Sequence, residues 1–343
     1  MNVSDKLADL YVIRQLLLQR LTAGKNRAMN RHLDDVAREI EKKLRSGKEF
    51  TTYQKRRLDA AISELAAIIT MPVPSFGDLA QLEAQFVVNS IVKVAVEVSL
   101  PAAAVLNSVA NTALIEGATI GQWFSRLTQS MRFDLSRSVK LGVSLGETNA
   151  QIAKRIVGAA GTKGSEVIPR GRRDAMAITR TGVQTVANEA RLATYSENED
   201  IISGLQWVST LDSRTTVICA ARSGKVWTLP GYKPKGHDIP WNGGPPAHWS
   251  CRSTVIPVLK TWREMGIDKD ELPASTRASM DGQVAADLSF DAFLRSKPAS
   301  FSDEMLGVGR AKLWRDGKIT LSELLNSQGQ AITLTELREK YGG

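Results

Sequence analysis

The chain has 343 residues, 43% of them hydrophobic and 24% charged, with a formal net charge of +9. That length allows two or three compact units with cores of their own, and the composition excludes a disordered or fibrous chain. Two cysteines are too few for a disulfide framework, and the basic excess favours polyanionic or acidic partners without naming one.

In chain order, Met1 to Gln15 carries no basic, apolar and cleavage-site succession, so no signal peptide is expected. Leu7, Leu10, Leu17 and Leu21 recur at near-helical spacing. A second helix is predicted from Asn30 to Leu44, with Leu33, Val36, Ile40 and Leu44 on one face. A third runs from Tyr53 to Ile69 through Leu58, Ile62 and Leu65. Lys42, Lys43, Arg45, Lys48, Lys55, Arg56 and Arg57 crowd this region, either as a solvated helix face or as a contact surface for DNA or an acidic protein. Pro72 and Pro74 mark a break. Val87 to Ile115 is the most apolar stretch, but Lys93, Glu97, Pro101, Asn107 and Asn111 interrupt it. It predicts a well-buried helix pair broken at Pro101 rather than a span of the bilayer.

Trp123, Leu127, Met131, Leu135 and Val139 then share a helical face. Ser144 with Glu147 has capping-box spacing and predicts a helix restart. Gly158 to Gly164 reads as a loop. A long helix follows from Arg172 to Ser196, with Ala175, Ile178, Val183, Val186 and Ala190 on its apolar face and Arg173, Arg180 and Arg191 on the rest. Strand character begins only at Leu205 to Thr210 and returns at Val226–Trp227 and Ser253 to Val258, which predicts a small antiparallel sheet. From Thr261 to Phe293 a mixed, mainly helical region is expected. In the tail, Asp316-Gly317 reads as a turn, Thr320 or Ser322 as a cap, and Thr333 with Glu336 as a capping box.

The predicted fold is mainly α with a small α+β motif domain. A helical N-terminal body (1–165) precedes a long helix plus sheet with a long Pro/Gly loop (166–260), and a mixed, helical C-terminal extension (261–343) follows.

Both cysteines and two of the three histidines fall between Gly204 and Val258. Asp212 is placed to N-cap a short helix over Ser213–Ser223, and Gly224 to end it in left-handed backbone. Arg214 sits where the helix dipole disfavours a cation, so it needs a partner such as Asp212 or a carbonyl. Cys219, His248 and Cys251 resemble three ligands of a zinc site, with His237 or Asp212 as candidates for a fourth. The same residues also read as two buried small hydrophobes and a hydrogen-bonded histidine, or as a Cys–His nucleophile. No HExxH or HxE…PCxxC pattern is present, which argues against a zinc hydrolase or deaminase.

The order W…LDxRT…C…SGK followed by PPxHxxCRS, carried by Trp207, Asp212, Arg214, Thr215, Cys219, Gly224, Pro246, His248, Cys251 and Arg252, resembles the phage Mu F-like family of head morphogenesis, or minor capsid, proteins of tailed bacteriophages. The preceding helix is similar to the family's helix ahead of that motif, and the tail from Gly309 to Leu337 is similar to a frequent C-terminal extension. More cysteine-rich members resemble C-x-x-C followed by H-x-x-C-x-C; Thr216 and Ser253 stand here at two of those cysteine positions. The resemblance implies a non-enzymatic minor head protein in the virion. It would associate with the portal protein and capsid, influence genome packaging or ejection, contact double-stranded DNA in some members, and require no cofactor other than a possible zinc. A nucleic-acid-directed enzyme or toxin carried with the head is the competing expectation.

Overall fold

The structure is a computed structural model that describes residues 3–92, 98–158, 166–261, 263–265, 276–279, 282–285 and 289–341. Lys93, Glu97, residues 159–165 of the stretch read as a loop, and most of 266–288 lie outside the described residues. The chain is mostly helical with one four-stranded antiparallel sheet. It forms two compact units, each drawn from separated segments. One comprises Gln19–Ser75 and Asn111–Val183, and the other Met1–Leu18, Phe76–Ala110 and Gln184–Gly343.

The first unit contains most of α1 (Val3–Ser46), all of α2 (Lys55–Ala67), and the first part of α7 (Val167–Ser196). A two-residue hairpin, β1 (Leu114–Ile115) with β2 (Ala118–Thr119), leads into α5 (Ile120–Ser144) and α6 (Asn149–Val157). The two helices expected within the first 44 residues are one continuous helix of 44 residues. Only Gly24 opposes its continuation, at a cost of about 1 kcal/mol. The buried face runs through Leu7, Tyr11, Leu18, Met29, Leu33, Val36, Ile40 and Leu44, whereas Leu17 and Leu21 are exposed. The restart after α5 also differs from the sequence reading. Ser144 belongs to α5 and donates to the Leu141 carbonyl, and Glu147 pairs with Arg155. The capping box is Thr148 with Gln151, four residues further on, with the Thr148 backbone N–H donating to Gln151 Oε1 at 2.8 Å.

Asn149, 2% exposed, pins the corner between α1 and α2. Its Nδ2 donates to the carbonyls of Leu44 (2.8 Å) and Lys48 (3.1 Å), and its Oδ1 accepts the Phe50 N–H at 3.0 Å. The Leu44 carbonyl is one that a helix end leaves without an intrahelical donor, and Lys48 and Phe50 lie in the turn that follows, so one side chain closes the end of α1 and fixes the turn.

The second unit holds the start of α1, α3 (Gly77–Val92), α4 (Ala103–Thr112), the remainder of α7, the sheet and the C-terminal helices. The sheet comprises β3 (Ile202–Val208), β4 (Val226–Thr228), β5 (Pro234–Lys235) and β6 (Thr254–Leu259), in the order β5-β4-β3-β6. A short helix, α8 (Val217–Arg222), lies between β3 and β4. Gly204 is required where β3 passes β4, because a Cβ there would lie 2.6 Å from the Trp227 carbonyl oxygen. A further hairpin, β7 (Thr276–Ser279) with β8 (Gly282–Ala285), occupies part of the region read as mainly helical. The tail folds as α9 (Phe290–Arg295), α10 (Ala299–Leu306), α11 (Val308–Arg315) and α12 (Leu334–Tyr341). The expected Thr333–Glu336 capping box is present, and Gly317 adopts φ +71° in the expected turn. These helices share a core with Leu211 and Ala220, which lie between β3 and β4.

The most buried helix is α7, not the apolar stretch from Val87 to Ile115, in which Val92, Val105 and Leu114 are about half exposed. Thr179, Thr181, Gln184, Thr185, Asn188, Arg191 and Thr194 are all buried on α7. Arg191, expected on a decorated outer face, is fully buried. Its guanidinium pairs with Glu83 of α3 at 2.7 Å, lies over Tyr11 of α1 at 5.2 Å, and donates to the Thr254 hydroxyl of β6. Arg14, 19% exposed, takes the other Glu83 oxygen at 2.8 Å. Tyr195 and Tyr11 join their hydroxyls at 2.8 Å, and burial pushes the pKa of both up, which keeps them neutral.

Removing one partner of a buried pair strands the other charge. Glu83→Ala is therefore expected to lower unfolding free energy by about 3–5 kcal/mol in urea denaturation. The double variant Glu83→Gln/Arg191→Met should recover a substantial part of that loss. Equal destabilisation by the single and double variants would show that the pair's charges do not carry the effect.

Candidate metal centre

The site grows out of the sheet. Trp207 on β3 and Trp227 on β4 are 1% and 0% exposed and meet edge-on with centroids 6.3 Å apart. They fix the ends of β3 and β4 between which α8 is slung. Gly224, at φ +80°, returns the chain to β4, and its N–H donates to the Trp207 carbonyl at 2.8 Å.

Asp212 does not cap α8, because a turn from Asp212 to Thr215 intervenes and Thr216 precedes the helix without a side-chain capping bond. Asp212 Oδ1 accepts the Arg214 backbone N–H at 3.0 Å. Both carboxylate oxygens are held by Arg252, with Nη2 to Oδ1 at 2.6 Å and Nη1 to Oδ2. The Thr215 hydroxyl donates to the Thr210 carbonyl and closes the turn. The guanidinium at Asp212 is thus that of Arg252, and the exposed Arg214 instead faces a cleft beside Cys219. Pro246 ends the long loop at a cis Pro245–Pro246 peptide, half-buried, two residues before His248.

Cys219 on α8 and His248 and Cys251 after the loop come together. The two sulfurs are 3.6 Å apart, Cys219 Sγ lies 3.2 Å from His248 Nε2, and all three ligand atoms fall within 4.8 Å of one another. A tetrahedral zinc with Zn–S about 2.3 Å and Zn–N about 2.0 Å has S···S edges of about 3.8 Å and S···N edges of about 3.6 Å. The Cys219–Cys251 and Cys219–His248 separations are close to these edges. The His248 Nδ1 lies 3.0 Å from the Trp249 carbonyl, so Nδ1 carries the proton and the Nε2 lone pair faces the thiols. This is the tautomer and second-shell bond that a metal-ligating histidine uses.

Electrostatics divide the two thiols. Cys251 is held well below the usual thiol range, first by the Cys219 hydrogen bond and then, against burial, by His248. Cys219 is pushed well up by its bond to Cys251 and by burial. Burial works against a charged His248, but contact with Cys251 and the Trp249 carbonyl outweighs it and raises its pKa. The first thiolate therefore forms on Cys251.

Neither expected fourth ligand reaches this centre. His237 Nε2 donates to the Val226 carbonyl at 2.9 Å, its Nδ1 accepts the Ile239 N–H at 3.2 Å, and its ring packs on Trp227. Asp212 is committed to Arg252. Thr216 and Ser253 line the cleft that opens onto Cys219 and His248. The donor set thus fits a zinc-type ion with three protein ligands and an oxygen, from water or a hydroxyl, at the fourth position. Among the described residues the cleft lining holds no carboxylate to act as a general base.

The remaining histidine, His32 on α1, is bonded to the Thr70 carbonyl at 2.6 Å, in the other unit. The seven basic residues from Lys42 to Arg57 lie in that unit as well, all exposed. Arg222, which the sequence did not single out, is 4% exposed, donates to the Gly329 carbonyl at 3.1 Å and lies over Trp207. It ties α8 to the C-terminal segment.

The Asp212 pKa is lowered overall. Burial opposes this, but the Arg252 pair, the Arg214 N–H and the Thr215 hydroxyl outweigh it. A carboxyl with a depressed folded-state pKa stabilises above its unfolded value and loses that contribution as pH falls through its folded value. Asp212→Asn should therefore lower the urea midpoint at pH 7, with the gap from the parent narrowing below about pH 4. A gap independent of pH would show that the turn geometry, not the charge, holds the corner.

Residues 104–256 match the family described as "Phage Mu protein F like protein". No curated protein and no solved structure matches the chain. The matched region begins in α4 and ends in β6, and takes in Asp212, Cys219, His248, Cys251 and Arg252 while leaving out the basic corner and α9–α12. Residues 104–256, a little under half of the chain, are therefore similar to the Phage Mu protein F-like family.

Proposed function

We propose that the chain is a minor head protein of a tailed phage, a non-enzymatic component that associates with the portal and acts in genome packaging or ejection. The observation that carries this reading is the Mu F-like match over residues 104–256, which contains the whole Trp207–Arg252 corner. The cleft chemistry supports it from a second side. Catalytic zinc sites combine an open coordination position with a general base, and the lining here supplies no carboxylate. Among the described residues no helix is long and apolar enough to cross a membrane, so a membrane anchor forms no part of the proposal.

The ligand triad gives the corner a structural role within this reading. A zinc-type ion on Cys219, His248 and Cys251 would link α8 to the segment that enters β6, the job that Asp212–Arg252 performs a few residues away. Such an ion binds deprotonated thiols and the folded corner together, so its binding free energy adds to folding.

Two measurements test these readings separately. Co-expressed with the portal protein of the same phage, the chain should co-purify with the portal through gel filtration. Migration of the two as independent species would remove the portal association. Elemental analysis of chain purified from zinc-supplemented cells should find one zinc per chain, falling below a tenth of that in Cys219→Ser. A metal-free parent protein that unfolds at the same temperature with and without chelator would leave the triad as a hydrogen-bonded cluster.

A further inference from the structure

The α1–α2 corner carries a charge arrangement that the fold does not explain. Lys42, Lys43, Arg45, Lys48, Lys55, Arg56 and Arg57 are all exposed within a span of 16 residues. Glu49 is the one acid in that span, and its Oε2 accepts the Asn149 N–H. Lys43 lies 3.7 Å from Glu64 and Arg45 3.6 Å from Glu41, both pairs at the surface and of small energetic weight. Among the described residues, Lys42, Lys48, Lys55, Arg56 and Arg57 have no ion-pair partner.

Placement makes the excess costlier. Basic residues in the last turn of α1 suit its dipole. Lys55, Arg56 and Arg57 occupy the first turn of α2, where the dipole is positive and no acidic residue offsets it. Three cations on a positive helix end raise the local potential, and only an external anion relieves it. The corner is also preorganised. Asn149 locks Leu44, Lys48 and Phe50 in place, so the cations stand on fixed backbone rather than a loose loop.

The surroundings select the kind of anion. No large hydrophobic side chain is exposed between Leu21 and Val73. A protein interface needs an apolar or aromatic anchor at its centre, which this corner lacks. Single-stranded nucleic acid is held by exposed aromatics on which bases stack. Tyr53 and Phe50, the aromatics here, pack edge-on against each other with Phe50 buried. What remains on the surface, besides Glu49, is Lys and Arg with Ser46, Thr51, Thr52 and Gln54, the donor types that contact phosphate oxygens. We infer that the α1–α2 corner binds the phosphate backbone of double-stranded DNA without reading its sequence. This names a partner surface for the head-protein reading, and it rests on that reading only for where the DNA comes from.

The test uses the full chain and a fluorescein-labelled 30-base-pair duplex, followed by anisotropy between 50 and 200 mM salt. Five unpaired cations contacting five phosphates give a log–log salt slope of about −4.5, or roughly 500-fold weaker binding across that range. The exposed triple variant Lys55→Gln/Arg56→Gln/Arg57→Gln should cut the slope to about −1.8 with an unchanged far-ultraviolet circular dichroism spectrum. Lys233→Gln/Lys235→Gln, exposed at the β5 edge of the other unit, should leave the slope alone. Two duplexes of unrelated sequence should bind within about threefold of each other. The proposal is overturned by no binding at 50 mM salt or by an unchanged slope in the triple variant. Tighter binding of single-stranded DNA or of polyglutamate than of the duplex would also overturn it. A failure here leaves the portal experiment untouched, so the two readings fall separately.

Discussion

One buried guanidinium holds the second unit together. Arg191 leaves α7 fully buried and reaches α1, α3 and β6 at once. A fully buried charge is tolerated only when it is paired and its donors are used. Glu83 supplies the charge, Thr254 takes a further N–H, and Tyr11 and Phe86 present their ring faces. Through Thr254 the buried guanidinium ties β6 to α7. Tyr195 adds a second tie to the same strand by lying 3.2 Å from the Val255 carbonyl.

That seating positions the ligand triad. Thr254 and Val255 open β6, three residues after Cys251, so whatever fixes the strand fixes the loop that delivers His248 and Cys251 to α8. The Asp212–Arg252 pair then closes the corner from the other side. A charged clamp, a buried tryptophan pair and a sulfur–imidazole cluster are thus built within one Mu F-like segment, each satisfying groups that its neighbours leave open. The clamp's carboxylate is consumed in the process, and the cleft lining holds hydroxyls, cations, Cys219 and His248 but no carboxylate.

What the sequence discloses and what it hides follow from how local each cause is. β3 and β6 were readable because β-branched and aromatic residues alternate over adjacent positions. Gly224 and the Thr333–Glu336 box were readable because their causes lie within a few residues. Ser144–Glu147 misled because Thr148–Gln151 has the same spacing nearby, and Ser144 finds a carbonyl in its own helix. Asp212 misled in the same way, since a carboxylate that can cap a helix can equally close a turn and bind an arginine. β5 passed as loop because Pro234–Lys235 is a short edge strand of residues that rarely form strands. Arg191 was hidden altogether: its partner Glu83 is 108 residues away. The same holds for Asn149, whose carbonyl partners lie about 100 residues back, and for compact units assembled from separated segments. The residues of the triad were nameable, but their convergence depends on the return of a long Pro/Gly loop.

The Mu F-like segment is stiffened from within by the Asp212–Arg252 pair, the Trp207–Trp227 contact and the Cys219–His248–Cys251 cluster, which suits the head-protein role proposed above. The most direct measurement is quantitative mass spectrometry of purified, mature phage particles, with tails separated from heads. The account predicts this chain in the head fraction at a few copies per particle. Its absence from heads, with the chain recovered only in the lysate, would contradict it.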